Sequence, residues 1–306
     1  MKAMICTNYG SPDVVKLREV AKPMPKAKEV LIKIHATTVA TGDCRVRAFN
    51  SPLTFWIPMR LFLGIRRPRN PILGVELAGE VEDVGREVTK FKKGDKVYAL
   101  SGMRFGAHAQ YICMSEEGIL ARMPSNTTYE EAAAIPFGGT TALGFLRNAH
   151  IQQGQQVLIY GASGSVGTAA VQLAKYYGAE VTGVCSGKNA ELVRSLGADH
   201  VIDYMKEDFT ESGVRYDVVF DALGKISKSI GKKALKPSGI YLTVQGQGIV
   251  KVLAKDMVIL QELVEAGKLQ AVIDRRYPLE QIPEAYCYVE TGRKKGNVVI
   301  TVAHDH

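Results

Sequence analysis

Residues 158–175 read LIYGASGSVGTAAVQLAK, a short apolar strand that passes through a glycine turn into a helix of small residues. Aligned on G-x-G-x-x-G, Ala162, Gly164 and Gly167 take the three glycine positions, with Gly161 in front. Gly164 lets the backbone approach a pyrophosphate, and Gly167 lets helix and strand pack closely. The start of the helix offers N–H groups and a positive dipole end to an anion. A second strand follows at the expected distance in VQLAKYYGAEVTGV. The turn therefore reads as a dinucleotide-binding loop.

The end of that second strand decides between two dinucleotides. An NAD site usually places Asp or Glu there, on the adenosine ribose hydroxyls. This chain has Val184-Cys185-Ser186-Gly187-Lys188-Asn189 instead. Ser186 can donate to a 2′-phosphate and Lys188 can neutralise it as a point charge. The pattern predicts NADPH over NADH. Tyr204, closing HVIDY, either flanks the adenine or its phosphate or is plain packing.

Outward from this loop, residues 156–245 alternate strand and helix: QVLIY, a helix over 165–177, EVTGVC, NAELVRSL, HVIDY, YDVVFDAL and GIYLTVQ. Strands separated by helices demand right-handed crossovers and a parallel sheet. The first third has a different grammar. EVLIKIHATTVA, GVELAGEVEDVG and FKKGDKVYAL are strand-like and punctuated by turns. Asn126 or Thr127 is placed to cap a helix beginning near Tyr129, with Glu130 and Glu131 favourable in its first turn. After the helix near DMVILQELVEAG, a final strand NVVITV is read as rejoining the first lobe. The expected fold class is α/β, a β-rich domain plus a doubly wound Rossmann domain. The borders expected are 1–124 completed by 265–306 for the first, and 125–264 for the second.

Composition bounds the rest. The 306 residues exceed one typical domain, and 46% hydrophobic content without a low-complexity tract predicts a globular chain. The opening MKAMICTNYG has too short an apolar run for a signal peptide, and no apolar run reaches membrane-spanning length. The expectation is a cytoplasmic enzyme. Cys6, Cys44, Cys113, Cys185 and Cys287 lie far apart without a CxxC pair, which argues against a structural zinc site. No metal is expected, and the ending Ala303-His304-Asp305-His306 is read as a frayed tail. A net charge of +8 suits an anionic ligand, a nucleic acid or a lipid surface. In FWIPMRLFLGIRRPRN, residues 55–70, Arg60, Arg66, Arg67 and Arg69 alternate with bulky apolar residues as a membrane-skimming segment would. Its two prolines interrupt the helical period, and a packed loop with solvated arginines is expected.

GVELAGEVEDVG, FKKGDKVYAL, AAAIPFGGTTAL, VLIYGASGSVGTAAVQLAK, LGADHVIDY and GRKKGNVVI, in that order, resemble the medium-chain dehydrogenase/reductase superfamily, most closely its zinc-independent quinone oxidoreductase branch. The resemblance covers nearly the whole chain. It implies a GroES-like β lobe, a Rossmann lobe, an active-site cleft between them and a homodimer joined through the Rossmann sheets. Zinc members carry CxxD where this chain has Ala40-Thr41-Gly42-Asp43, and GHE where it has Gly74-Val75-Glu76. The Cys of the segment matching PFGGTTAL is also missing, so the resemblance implies no catalytic zinc. Carried over position by position, it assigns Ser163, Gly164, Ser165 and Val166 to the diphosphate, and Ser186, Lys188 and Tyr204 to the 2′-phosphate end. Leu223, Gly246 and Gln247 would frame the nicotinamide, and Asn297 would offer a polar contact to the cofactor.

Departures bear on the acceptor. Where many quinone reductases read Asn-x-x-Asp-x-Tyr-x-Arg, this chain retains Asp43 and Arg47 but has Ala40 and Arg45 in place of Asn and Tyr. The segment after YLTVQ is shorter than in the relatives it resembles, which implies a more open side of the cleft. The resulting expectation is NADPH-dependent, metal-free hydride transfer to a quinone or an α,β-unsaturated carbonyl. Arg45 supplies charge to the developing anion, and Asp43 either orients a ribose, relays a proton or caps local N–H groups. Two other readings stand beside it: reduction of simple aldehydes or ketones, and an NADPH-binding regulatory, RNA-associated or membrane-associated protein with weak catalysis. A specific nucleic-acid partner is not expected, and membrane contact is expected to be weak.

Overall fold

A computed structural model describes residues 1–50, 56–245 and 251–304. The chain divides into two compact units, Met1–Pro136 with Ile273–His306, and Phe137–Val272.

The first unit opens with an antiparallel pair, β1 (Lys2–Cys6) and β2 (Val15–Glu19). Then come β3 (Glu29–Thr38), α1 (Thr41–Ala48), α2 (Trp56–Leu63), β4 (Glu76–Val84), β5 (Lys96–Leu100), β6 (Tyr111–Ser115), β7 (Ile119–Arg122) and α3 (Tyr129–Ala133). The helix α4 (Pro136–Asn148) begins at the border. The second unit continues with β8 (Gln156–Tyr160), α5 (Ser165–Tyr176), β9 (Glu180–Cys185), α6 (Ala190–Ser195), β10 (His200–Asp203), β11 (Tyr216–Asp221), α7 (Lys228–Lys233), β12 (Leu235–Thr243) and α8 (Ala254–Glu265). The chain closes in the first unit with β13 (Ile273–Pro278), α9 (Ile282–Glu290) and β14 (Asn297–Thr301).

In the first unit, seven strands form one sheet in the order β13-β14-β3-β4-β5-β7, with β6 also paired to β3. β3 is long enough to serve three neighbours: its first half pairs β6, its last residues pair β14, and β4 runs along it. Its Val30, Ile32 and Ile34 point into a core shared with Leu77, Val81, Val97, Val298 and Ile300. Each such side chain contributes about 1.5–3 kcal/mol on burial. The cap of α3 is Thr128, a step later than the sequence suggested. Its side chain accepts from the Glu131 amide while the Glu131 carboxylate accepts from the Thr128 amide, a complete capping box. Because α3 packs on β3, β4 and β14, residues up to Pro136 belong with the first unit, further along than the expected border at 124/125. The second border also lies later than 264/265. The Gln172 amide exchanges hydrogen bonds with the backbone of Gln270, which ties that segment to the second unit.

The second unit is a five-stranded sheet, all parallel, in the order β10-β9-β8-β11-β12. The order reverses between β8 and β11, and such a switch point opens a crevice at the carboxyl ends of the strands, where doubly wound sheets bind ligands. The glycine turn leaves β8 at that point.

Two local expectations change. Pro58 does not break the helical period of residues 55–70. It lies within α2. His304 is seated rather than frayed. Its Nε2 donates to the Ile34 carbonyl at 2.7 Å, and its ring meets His35 and Tyr111 edge-on, both at 5.4 Å.

Candidate active site

The turn after β8 is built by three contacts. The amides of Gly161 and Ala162 both donate to the Val184 carbonyl at 3.0 Å, which pins the turn to the end of β9. Gly161 has φ +78°, a left-handed conformation open to glycine at little cost. A β-carbon at Gly167 would lie 2.1 Å from the Gly161 carbonyl oxygen, so that glycine is required by helix-to-strand packing. Ala162 fills the first fingerprint position, and its methyl packs 3.1 Å from where a β-carbon of Gly183 would stand. The second strand makes room for it.

Gly164 differs from its neighbours. It has ordinary φ, and a β-carbon there would meet nothing in the protein closer than 3.5 Å. Internal packing does not demand a glycine. What a side chain would occupy is the space in front of α5, whose N-cap is Gly164 itself and which therefore has no side-chain cap. The first-turn amides of a helix have no intrahelical partner. A diphosphate fits this donor set, with charge, N–H groups and room all on one side.

The adenosine end is assembled from β9 and β10. Ser186 is half-buried and Lys188 exposed in the turn after β9, and Asn189 Nδ2 donates to Ser163 Oγ at 3.0 Å. That bond ties the segment 186–189 to the glycine turn. The Tyr204 amide donates to the Cys185 carbonyl at 3.2 Å, which places the exposed Tyr204 beside Ser186. One acid also arrives. A β-carbon at Gly187 would come within 2.5 Å of Asp203 Oδ2, so the carboxylate that β9 lacks reaches the turn from β10. Asn189 and Asp203 were not singled out in the sequence. Both act across strand ends, and their only sequence signal is a place at the end of a parallel strand.

On the other side of the switch point, Asp221 ends β11. It is fully buried, and its carboxylate accepts from the amides of Leu223 (3.1 Å), Gly224 (2.9 Å) and Ile226 (2.8 Å). The turn is thereby fixed, and it lays the Leu223 side chain over Gly161. Gly246 and Gln247 lie outside the described residues.

The remaining expected positions are in the first unit. Asn297 opens β14, is buried, and donates to the Ala134 carbonyl at 2.9 Å. Asp43 and Arg45 stand two residues apart on α1 and so face in different directions. Arg45 is exposed. Asp43 is 1% exposed and accepts from the Ala40 amide at 2.9 Å, holding the first turn of α1. Burial pushes its carboxyl above the usual range, against the pull of His108 and of the Ala40 and Gly74 amides. His108 is held through Nε2, which donates to the Thr38 carbonyl, and burial keeps its ring below the ordinary imidazole range. Arg47, also buried, bonds the Gly10 carbonyl and Glu290 and lies 5.1 Å from the Tyr286 ring.

Glu76 is buried as well, with its carboxylate bonded by the Thr38 hydroxyl. The half-buried Lys294 ammonium donates to the Gly296 carbonyl at 2.5 Å. Desolvation lowers the Lys294 pKa, while Glu76 and Asp274 pull it back up. Ala40 and Val75, at the positions where zinc members carry Cys and His, offer no zinc-binding side chain. Among the described residues no three His, Cys, Asp or Glu side chains converge.

The model of the alcohol dehydrogenase GroES-like domain matches residues 26–125, and two models of zinc-binding dehydrogenases match residues 165–267 and 249–300. A 2-methylene-furan-3-one reductase from Solanum lycopersicum is 36% identical, over 98% of this chain and 79% of that protein. The chain belongs to the medium-chain dehydrogenase/reductase superfamily. Within the superfamily it falls in the quinone oxidoreductase-like branch. A chloroplastic NADPH-dependent alkenal/one oxidoreductase of Arabidopsis thaliana is 34% identical over 98% of this chain and 79% of its own length. The solved quinone oxidoreductase from Coxiella burnetii superposes with a TM-score of 0.86 at 27% identity, covering 99% of both chains. Like other medium-chain dehydrogenases/reductases, the chain is an oxidoreductase with a nicotinamide cofactor.

Proposed function

We propose that the chain is an NADPH-dependent, zinc-independent reductase of quinones and α,β-unsaturated carbonyls. The observation that carries the reading is the room in front of Gly164, at the switch point and at an uncapped helix start. The acceptor class draws on the relatives, named as alkenal/one and quinone oxidoreductases. Ser186 and Lys188 support the choice of NADPH, with Asp203 acting against it. Ala40 and Val75 at two zinc-ligand positions support a zinc-free reaction.

When bound, the reduced nicotinamide supplies a hydride to the electron-poor carbon of the acceptor. The chain's residues do the rest. The amides at the start of α5, with Ser163, Ser165 and Val166, hold the diphosphate, and Ser186, Lys188 and Tyr204 hold the adenosine phosphate. Asp221 fixes the turn that carries Leu223. Gly246, Gln247 and Asn297 complete the cofactor contacts. Arg45 offers positive charge to the hydroquinone or enolate anion, and Asp43 positions the start of α1, which bears Arg45. Water supplies the proton, because delocalisation already stabilises these anions. Positioning supplies most of the rate.

The same reading makes the protein a cytoplasmic homodimer. Its five free cysteines suit a reducing compartment, and β12, with a strand partner on one side among the described residues, offers an edge for pairing.

NADPH oxidation with 1,4-benzoquinone, 9,10-phenanthrenequinone, an enone and a simple aldehyde tests the proposal. Turnover of the first three over the aldehyde is expected. Aldehyde turnover with stoichiometric zinc by elemental analysis would replace the reading with an alcohol-dehydrogenase one. Tight NADPH binding without any turnover would assign a regulatory role.

A further inference from the structure

The helix α2 is apolar on both sides: Met59 and Leu63 pack against the core, and a second apolar face is turned outward. At 3.6 residues per turn, Ile57, Pro58, Leu61 and Phe62 share one face. That face meets solvent: Ile57 is 66% exposed, Leu61 58% and Phe62 58%, with Ile65 at 69% just beyond the helix. The helix's single charged residue points inward instead. The Arg60 guanidinium lies 4.0 Å from the Phe49 ring centroid, 4.6 Å from that of Tyr9 and 4.9 Å from that of Trp56, and it donates to the Ile65 carbonyl. Surface helices normally bury the apolar stripe and expose the charges. Here an aromatic box holds the cation, Met59 and Leu63 fill the inner side, and a second apolar stripe is left outside. Contiguous exposed apolar surface of this kind marks an interaction site.

The charge around the stripe selects the partner. Between Asp43 and Glu76 the chain has no acidic residue and six arginines, Arg45, Arg47, Arg60, Arg66, Arg67 and Arg69. Arg66, Arg67 and Arg69 follow the stripe directly and are exposed. Arg69 braces the helix end by donating to the Leu61 carbonyl at 2.6 Å, and Arg66 and Arg67 have no ion pair among the described residues.

We propose that this face docks on an anionic lipid surface. Ile57, Leu61, Phe62 and Ile65 enter the boundary between headgroups and acyl chains, and Arg66 and Arg67 lie on the lipid phosphates. The outward face carries no hydrogen-bonding side chain that would fix the orientation of a protein partner. Eight residues are too few to span a bilayer, so α2 lies in the interface plane. The docking rests on this surface alone and is independent of cofactor and hydride acceptor.

Trp56 is the only tryptophan in the chain and lies on α2, so its emission reports on the surroundings of this helix. The full chain is mixed with vesicles of equal parts phosphatidylcholine and phosphatidylglycerol, or of phosphatidylcholine alone. Expected results are co-flotation and a blue shift of Trp56 emission with the anionic vesicles, weakened by salt. The exposed pair Ile57→Ser with Leu61→Ser should lower vesicle affinity at least about tenfold. Arg66→Glu with Arg67→Glu should abolish the preference for phosphatidylglycerol, and quinone turnover without vesicles should stay unchanged in both variants. The proposal is overturned if flotation and emission do not respond to anionic vesicles, or if binding persists unchanged in both variants. It is also overturned if sedimentation velocity shows that Ile57→Ser with Leu61→Ser dissociates an oligomer while vesicles are not bound, which would assign the face to a second copy.

Discussion

Leu223 lies over Gly161: a β-carbon at Gly161 would stand 2.4 Å from Leu223 Cγ. The two residues close the switch point from opposite sides, one from the turn after β8 and one from the turn after β11. Gly161→Ala therefore meets both a clash and a left-handed backbone. The backbone alone costs roughly 1 kcal/mol. We expect nicotinamide cofactor affinity, measured by fluorescence titration, to fall at least about tenfold. Adding Leu223→Ala should recover part of the stability but not all, because the strain at φ +78° remains.

Asp221 is the anchor of that geometry. Asp221→Ala removes the acceptor of three amides at once, and hydrogen bonds to a charged group are worth about 1.5–3 kcal/mol each. Urea denaturation should show a loss of about 3 kcal/mol or more. Asp221→Asn should retain part of it. Cofactor affinity should follow the same order, because the turn that carries Leu223 loses its support.

Cofactor choice should respond in opposite directions at two positions. Lys188→Ala removes the point charge we propose for the 2′-phosphate, and the NADPH/NADH selectivity in kcat/KM should drop by about tenfold. Asp203→Asn removes the carboxylate that leans on Gly187 and should raise the same ratio. Unchanged selectivity in Lys188→Ala would remove the case for NADPH.

The paired rings of His35 and His304 predict a pH dependence of stability. Desolvation lowers both pKa values from 6.5, and the charge of His304 adds to the lowering at His35. Below pH 6.5 the unfolded chain therefore binds more protons at these positions than the folded one, and stability falls as pH drops. Denaturant midpoints measured from neutral pH to about pH 5 should decline on this account, and His304→Gln should flatten the decline. Asp43 acts in the opposite sense. Its raised pKa means that the folded state takes up a proton first, at a pH above 3.8.

The parts of this molecule that were legible in the sequence are those coded by neighbours along the chain. GASGSVG, the helix after it and the strand EVTGVC declare the Rossmann unit because strand, turn and helix are contiguous. Asp221 was missed because its partners are backbone amides, which no residue type announces. Asp203 was missed because it reaches Gly187 across two strand ends, and proximity there is a property of the parallel sheet. The same holds for His304, whose place beside His35 depends on the last strand returning to β3. In α2 the sequence displayed every relevant residue, yet the inward turn of Arg60 needs Tyr9, Phe49 and Trp56 brought together, and only the fold does that.

Ala162 and Gly183 extend the point to motif recognition. The methyl group of the turn sits against a strand position that has no side chain, where a β-carbon would stand 2.4 Å from Val193 Cγ1 and 3.1 Å from the methyl. The volume allowed to the loop is thus a joint property of two positions, and a search that demands three glycines in one window reads half of it. Residue 183 answers to Val193 of α6 and to residue 162 of the turn at once.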